Sequence, residues 1–399
     1  MIVRSFTFAR TPKIYFGPGK FNDLGKITGE IGRRIIVVTG AHSLKLSNRW
    51  DALVQSLQEN SIEYFHFSVK GEPSPDLVDT AVSEFRDKKV DVILAIGGGS
   101  VIDTGKAISA MLTQDTSVMD YLEEVGRGMV HDGNKIPFIA VPTTAGTGSE
   151  VTKNAVLSRV GADGFKKSLR HDNFVPDIAV IDPELALSCP SHVTAASGMV
   201  AFTQLLESYV STESTPLTDA LACSGIECLK DNLLLACTTG RDNIEVRAGM
   251  AYAALLSGIT LANAGLGIIH GLASAIGGLF DIPHGVICGT LVGAATKVNI
   301  SNLKKQRNTD DSTLKKYAKV GAILSESDSK DVDCCCELLV KRLEEWISYL
   351  GIPLLSEYGV GISDIDRIIE KTGSKNNPVR LNRDELRELL TSRILPLKN

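Results

Sequence analysis

The chain has no basic field. Its 399 residues carry 42 Lys and Arg against 47 Asp and Glu, a formal net charge of −5, and the cations are scattered. Nothing there attracts a phosphate backbone, so no nucleic-acid partner is expected. The start has no apolar leader: residues 1–10 hold Arg4 and Arg10 around a mixed Phe/Thr stretch without a small-residue cleavage signal, and a cytoplasmic location is expected. The eight cysteines show neither the paired spacing of zinc modules nor the density of a secreted disulfide scaffold, so reduced thiols are expected. Cys334, Cys335 and Cys336 are consecutive on a helical pattern, where neighbours splay about 100° apart and cannot converge on one ion. A leucine-rich membrane span is missing too. Segment 248–280 is long enough to cross a bilayer, but it is full of Gly, Ala, Ser and Asn. Two packed buried helices joined near 263–267 are expected there, with no membrane partner.

What is present is core material. At 43% hydrophobic and 22% charged, the chain has enough for two domains. In the first half, β-branched runs at 34–39, 62–67, 90–96, 136–141 and 178–181 alternate with helical patterns, which reads as βαβ units on a parallel sheet. Residues 6–16 alternate and end in Gly17-Pro18-Gly19, suggesting an edge hairpin. Beyond Pro183 no strand is expected. Helical periodicity occupies 193–210, 215–237, 244–263, 268–279, 313–324, 332–350, 363–371 and 383–393.

Two loops carry chemistry. The strand at 90–96 runs into Gly97-Gly98-Gly99-Ser100 and then into a helix bearing Asp103 and Lys106. Glycines let backbone approach a pyrophosphate, and the helix start offers free N–H groups to its charge. A tight ligand-free turn uses the same residues. The strand at 136–141 leads into Pro142-Thr143-Thr144-Ala145-Gly146-Thr147-Gly148-Ser149-Glu150-Val151-Thr152, whose hydroxyls suit a ribose, a carboxamide or a phosphate. Open α/β sheets bind ligands at the C-terminal ends of such strands.

These motifs, with Asp182-Pro183, Ile14-Tyr15-Phe16-Gly17-Pro18-Gly19 and Asn377-Pro378-Val379-Arg380, resemble the iron-containing (group III) alcohol dehydrogenase family over nearly the whole chain. The resemblance implies a Rossmann-like α/β dinucleotide-binding domain at residues 1–185 and an all-α domain at 186–399. It places the pyrophosphate on Gly97, Gly98, Gly99 and Ser100, adenine and ribose near Thr143 and Thr144, and nicotinamide near Asp103, Ser149 and Thr152. It also implies a homodimer.

The family holds Fe or Zn with an Asp, a His one helical turn later and two further His, because residues i and i+4 share a helix face. His270 and His284 stand where the downstream pair is expected. The upstream motif reads Ser197-Gly198-Met199-Val200-Ala201-Phe202-Thr203-Gln204-Leu205-Leu206-Glu207-Ser208-Tyr209, so Val200 replaces the Asp and Gln204 the His. A further family His, implied in proton transfer, aligns with Ser274. Only a residual site at His270 and His284 is expected, without stoichiometric Fe or Zn, unless Glu207 or His192 supplies a displaced ligand.

The function implied is an NAD(P)-dependent oxidoreductase moving hydride between nicotinamide and a small alcohol/aldehyde or keto pair. Without a metal, His270, His284 or a lysine, Lys166 or Lys167, would polarise the substrate oxygen, as in the metal-independent maleylacetate reductases of this fold. The alternative is a catalytically silent dinucleotide binder acting as sensor or scaffold. Cofactor choice rests on the end of the first strand, where NAD-preferring members tend to carry an Asp. This chain has Gly40, then His42, Ser43 and Lys45, so NADP(H) is expected over NAD(H).

Overall fold

The computed structural model describes residues 5–41, 44, 49–306 and 312–395. In chain order its first part contains β1 (Lys13–Phe16), α1 (Leu24–Gly29), β2 (Arg34–Gly40), α2 (Arg49–Glu59), β3 (Glu63–Val69), α3 (Pro75–Phe85), β4 (Val92–Gly97), α4 (Gly99–Met111), β5 (Phe138–Pro142), β6 (Asn154–Arg159), β7 (Phe165–Arg170) and β8 (Ile178–Ile181). Six strands form one parallel sheet in the order β1-β8-β5-β4-β2-β3. The inner strands are β-branched on both faces because helices cover both. Ile36, Val38, Ile93 and Ala95 enter one core, and Ile35, Val37, Val92 and Leu94 the other.

The strand order carries a functional consequence. The chain moves from β2 out to β3 on one side, then crosses back to place β4 on β2's other flank. The crevice at the C-terminal ends of β2 and β4 is therefore a topological switch point, where open α/β sheets bind ligands. Gly40 and Gly97 end those two strands.

Two expectations fail locally. Residues 6–12 form no strand, and β1 pairs in parallel with β8 instead of closing a hairpin. Gly17-Pro18-Gly19 turns the chain into a 3₁₀ turn and α1, so the edge takes its partner from the last strand of the sheet. An antiparallel hairpin, β6 with β7, also forms where no strand was read. Its charged Lys166, Lys167 and Arg170 hid the alternation of Ala155, Leu157, Phe165 and Leu169, which it buries.

The second part is helical: α5 (Ser191–Val210), α6 (Pro216–Cys237), α7 (Ile244–Ala264), α8 (Ile268–Leu279), α9 (His284–Lys305), α10 (Ser312–Ser325), α11 (Val332–Tyr349), α12 (Ile365–Glu370) and α13 (Arg383–Ile394). No strand follows Ile181 among the described residues. Starts are marked by residues that satisfy orphan N–H groups: Thr215 caps α6 ahead of Pro216, and Asn243 caps α7. The apolar α7 is long enough to cross a bilayer but packs between α5 and α6, and the chain turns at 265–267 into α8. Helix α9 has no counterpart in the periodicity, because it is buried on most sides and carries Gly285, Gly289 and Gly293 four residues apart. A Cβ at Gly285 would meet the Ala196 carbonyl oxygen at 2.6 Å, and one at Gly289 would meet Met199 Cβ at 3.2 Å. The glycines thus bring α9 hard against α5.

Candidate active site

A cleft of about 1030 Å3 separates the sheet's C-terminal edge from the helical part. On the sheet side it is lined by Gly40, Gly98, Gly99, Ser100 and Asp103. Helix α4 begins with no side-chain cap, so its first N–H groups are available to an anion. The glycines keep that approach open: a Cβ on Gly99 would lie 2.7 Å from Thr147 Oγ1, and one on Gly98 3.3 Å from Thr144 Oγ1. Thr144, Ser149 and Thr152 line the same cleft. Gly97 packs behind it on Val101, and Thr143 lines a smaller neighbouring cavity. Ser43, with His42 and Lys45, lies outside the described residues.

Buried charges brace this wall. Lys106 Nζ donates to the Ser149 carbonyl at 2.9 Å, Thr152 Oγ1 at 2.9 Å and the Asn154 carbonyl at 2.7 Å, which ties α4 to the hydroxyl-rich loop. Burial lowers its pKa to about 8, against the pull of Asp103 and Glu150. Asp103 Oδ2 accepts from the Val156 N–H at 3.1 Å. Its Oδ1, 3.8 Å from Lys106 Nζ, is buried and accepts no hydrogen bond among the described residues. Such an acceptor costs free energy until a donor arrives. An uncapped helix start, a glycine cradle and this orphaned oxygen together fit a dinucleotide with an amide-bearing ring.

The opposite wall holds the histidines. His270 on α8 lies with Nδ1 2.6 Å from Glu207 Oε2, while Glu207 Oε1 accepts the Ile269 N–H at 2.7 Å. The carboxylate thus fixes the imidazole through Nδ1. His284 opens α9, and the two rings are 5.4 Å apart. Between them stands Cys288, with Sγ 3.7 Å from His270 Nε2 and 3.6 Å from His284 Nε2. Burial opposes the charged form of His270, but Cys288 and Glu207 outweigh it and raise the pKa to about 9. Burial, with Lys166 and His270 nearby, holds His284 well below its ordinary value.

Residues 11–183 match the iron-containing alcohol dehydrogenase family, and residues 194–394 match the C-terminal region of the same family. The chain belongs to the iron-containing alcohol dehydrogenases. It is 32% identical over 403 residues to a 1,3-propanediol dehydrogenase of Citrobacter freundii, covering 98% of this chain and 99% of that one. An NADPH-dependent butanol dehydrogenase of Clostridium saccharobutylicum is 31% identical over 396 residues, covering 96% of each chain. An NAD-dependent methanol dehydrogenase of Bacillus methanolicus is 30% identical over 382 residues, covering 92% of this chain and 94% of that one. A solved 1,3-propanediol oxidoreductase superposes with a TM-score of 0.87 at 30% identity, covering 98% of this chain and 100% of that one.

The donors this iron-containing alcohol dehydrogenase presents do not fit the four-ligand site that the family resemblance implies. Val200 lines the cleft but offers no lone pair. Gln204 Oε1 lies 2.8 Å from the Ser257 hydroxyl, already in use as a structural partner. Glu207 does not stand in as a displaced ligand, since both its oxygens are held by α8. Beside the two expected histidines the structure brings a third donor, Cys288, with one ligand atom from each residue within 4.8 Å of the others. Sequence reasoning passed over it, although its spacing of four from His284 was visible. Lys167 reaches the cleft but ends in an ion pair with Glu124, and Lys166 pairs with Glu72 at 2.8 Å. Ser274 donates to the Lys166 carbonyl at 2.7 Å, which tethers α8 to β7.

Proposed function

We infer that the protein is an NAD(P)-dependent oxidoreductase acting on a short alcohol and its aldehyde or ketone, with NADP(H) the preferred cofactor. The observation that carries this reading is the cleft itself: a glycine cradle at the switch point and the buried Asp103 Oδ1 on one wall, two imidazoles on the other. When bound, nicotinamide gives or takes the hydride. The chain's share is positioning and polarisation. Gly98 to Ser100 and the start of α4 would hold the pyrophosphate, Asp103 the carboxamide, and Ser149 and Thr152 the rim of the ring. His270, its ring held by Glu207, and His284 stand on the opposite wall, where they would polarise the substrate oxygen. The relatives named above act on short alcohols by name, which supports a small substrate. The reading of a silent sensor has no observation in its favour.

The NADP(H) preference rests on Gly40. It ends β2 at the cleft, and this position supplies no carboxylate of its own to repel a 2′-phosphate. The relatives include both cofactor types by name, so the residue is the better guide. A homodimer through the open edge of β1 is part of the same reading, and light scattering at twice the 42.8 kDa chain mass checks it.

The test is a nicotinamide-fluorescence titration with NADPH and NADH, followed by turnover on short aldehydes. Binding with turnover is expected. Binding without turnover on any aldehyde would return the sensor reading.

A further inference from the structure

On the cleft's helical wall the two downstream ligand positions implied by the family, His270 and His284, are kept, and Cys288, which that pattern does not include, stands with them. His270, His284 and Cys288 come from two helices, yet one ligand atom from each lies within 4.8 Å of the others. Cys288 is fully buried, and His270 and His284 line the cleft. We propose that His270 Nε2, His284 Nε2 and Cys288 Sγ form a three-donor site for a thiophilic divalent cation, zinc foremost.

The geometry is that of ligands around one ion. With Zn–S near 2.3 Å and Zn–N near 2.0–2.1 Å, two tetrahedral ligands stand about 3.6 Å apart across an S···N edge. The two observed S···N separations are 3.6 and 3.7 Å. The spacing has a local cause. His284 and Cys288 are i and i+4 on α9, one turn apart on one face. The family resemblance implies the same device on α5, where Val200 and Gln204 have lost it. On α9 it recurs with a thiol as its second member.

The surroundings suit an ion. Glu207 holds His270 Nδ1, which orients the imidazole and strengthens it as a ligand. Among the described residues the buried Nδ1 of His284 has no hydrogen-bond partner and its Nε2 meets the Cys288 thiol at 3.6 Å, so no group outside the cluster holds its ring nitrogens. A thiolate with two imidazoles favours zinc over iron, which takes nitrogen and oxygen sets more readily. Three protein ligands leave one position open toward the cleft, the arrangement of catalytic rather than structural zinc. The use of such an ion rests on the alcohol dehydrogenase reading, whereas its binding does not.

The test uses the full chain, stripped with a chelator and titrated with Co2+. One Co2+ per chain is expected, displaced by Zn2+, with an intense near-ultraviolet sulfur-to-cobalt charge-transfer band. Cys288→Ala should abolish the band and weaken binding by more than the roughly 10–100-fold that loss of an outer-shell partner alone brings. Cys288→Ser, which preserves the side-chain volume, is run beside it, and NADPH binding reports that each variant folds. No stoichiometric uptake, or uptake without the band, overturns the site. Uptake with the band but no turnover of any alcohol leaves the site standing and removes the dehydrogenase reading. Turnover by protein that takes up no metal overturns the site alone.

Discussion

Gly40 ends β2 level with the glycine cradle of the next strand, and the proposed preference for NADP(H) rests on this position. A carboxylate at this point repels a 2′-phosphate while accepting hydrogen bonds from ribose hydroxyls. Gly40→Asp should weaken NADPH by about 1–3 kcal/mol and leave NADH nearly unchanged. The measurement is a pair of fluorescence titrations on parent and variant. An equal loss for both cofactors would mean that the new side chain disturbs the loop and does not read the phosphate. The other decisive residue, Cys288, was legible only as one of eight cysteines. Its meaning depends on His270, eighteen positions earlier in the chain, and no local pattern joins the two.

At the scale of elements, the two walls of the cleft are joined by close backbone approaches. A Cβ on Gly258 of α7 would run into the Gly148 carbonyl, and one on Gly148 would lie 2.6 Å from the Ala254 carbonyl. The loop bearing Ser149 and Thr152 therefore rests directly on the helical part. Gly258→Ala should cost about 1–3 kcal/mol by overpacking and weaken cofactor binding as the loop is pushed outward. Denaturant melts and NADPH titration check both effects, and a variant with parental stability and affinity would show that the contact is slack. The same principle explains why α9 escaped the sequence. Glycine at every fourth position resembles a breaker, and only the facing Ala196 and Met199 of α5 turn it into a packing surface.

For the whole molecule, the buried charges under the cofactor wall link stability to pH. Burial raises the Glu150 carboxyl to about 7, against an ordinary value of 4.5. Between those values the folded protein keeps a proton that the unfolded chain has released. The stability this group contributes is therefore full below about 4.5 and lost as the pH rises through 7. Glu150→Gln cannot ionise, so it should match the parent near pH 4 and exceed it at pH 8 by on the order of 1–3 kcal/mol. Thermal melts at the two pH values decide this. A variant that is less stable at pH 8 would mean that the carboxylate's attraction to Lys106 outweighs its burial.

The sequence by itself determined the class of the fold. Five β-branched runs alternating with helical patterns, followed by helical periodicity alone, describe the parallel sheet and the helices that follow it, because 2- and 3.6-residue periods follow from burying one face of each element. It also determined the glycine cradle, since only a strand, a glycine run and a helix start in immediate succession are needed. The tertiary structure decided the rest. The pairing of β1 with β8, the hairpin of β6 and β7, and the burial of α9 depend on partners far along the chain. The ligand set depends on them as well: Val200 and Gln204 were legible as losses, whereas the thiol beside two imidazoles exists only because α8 and α9 meet at the cleft. A lone pair becomes a ligand by where it points, and direction is a property of packing.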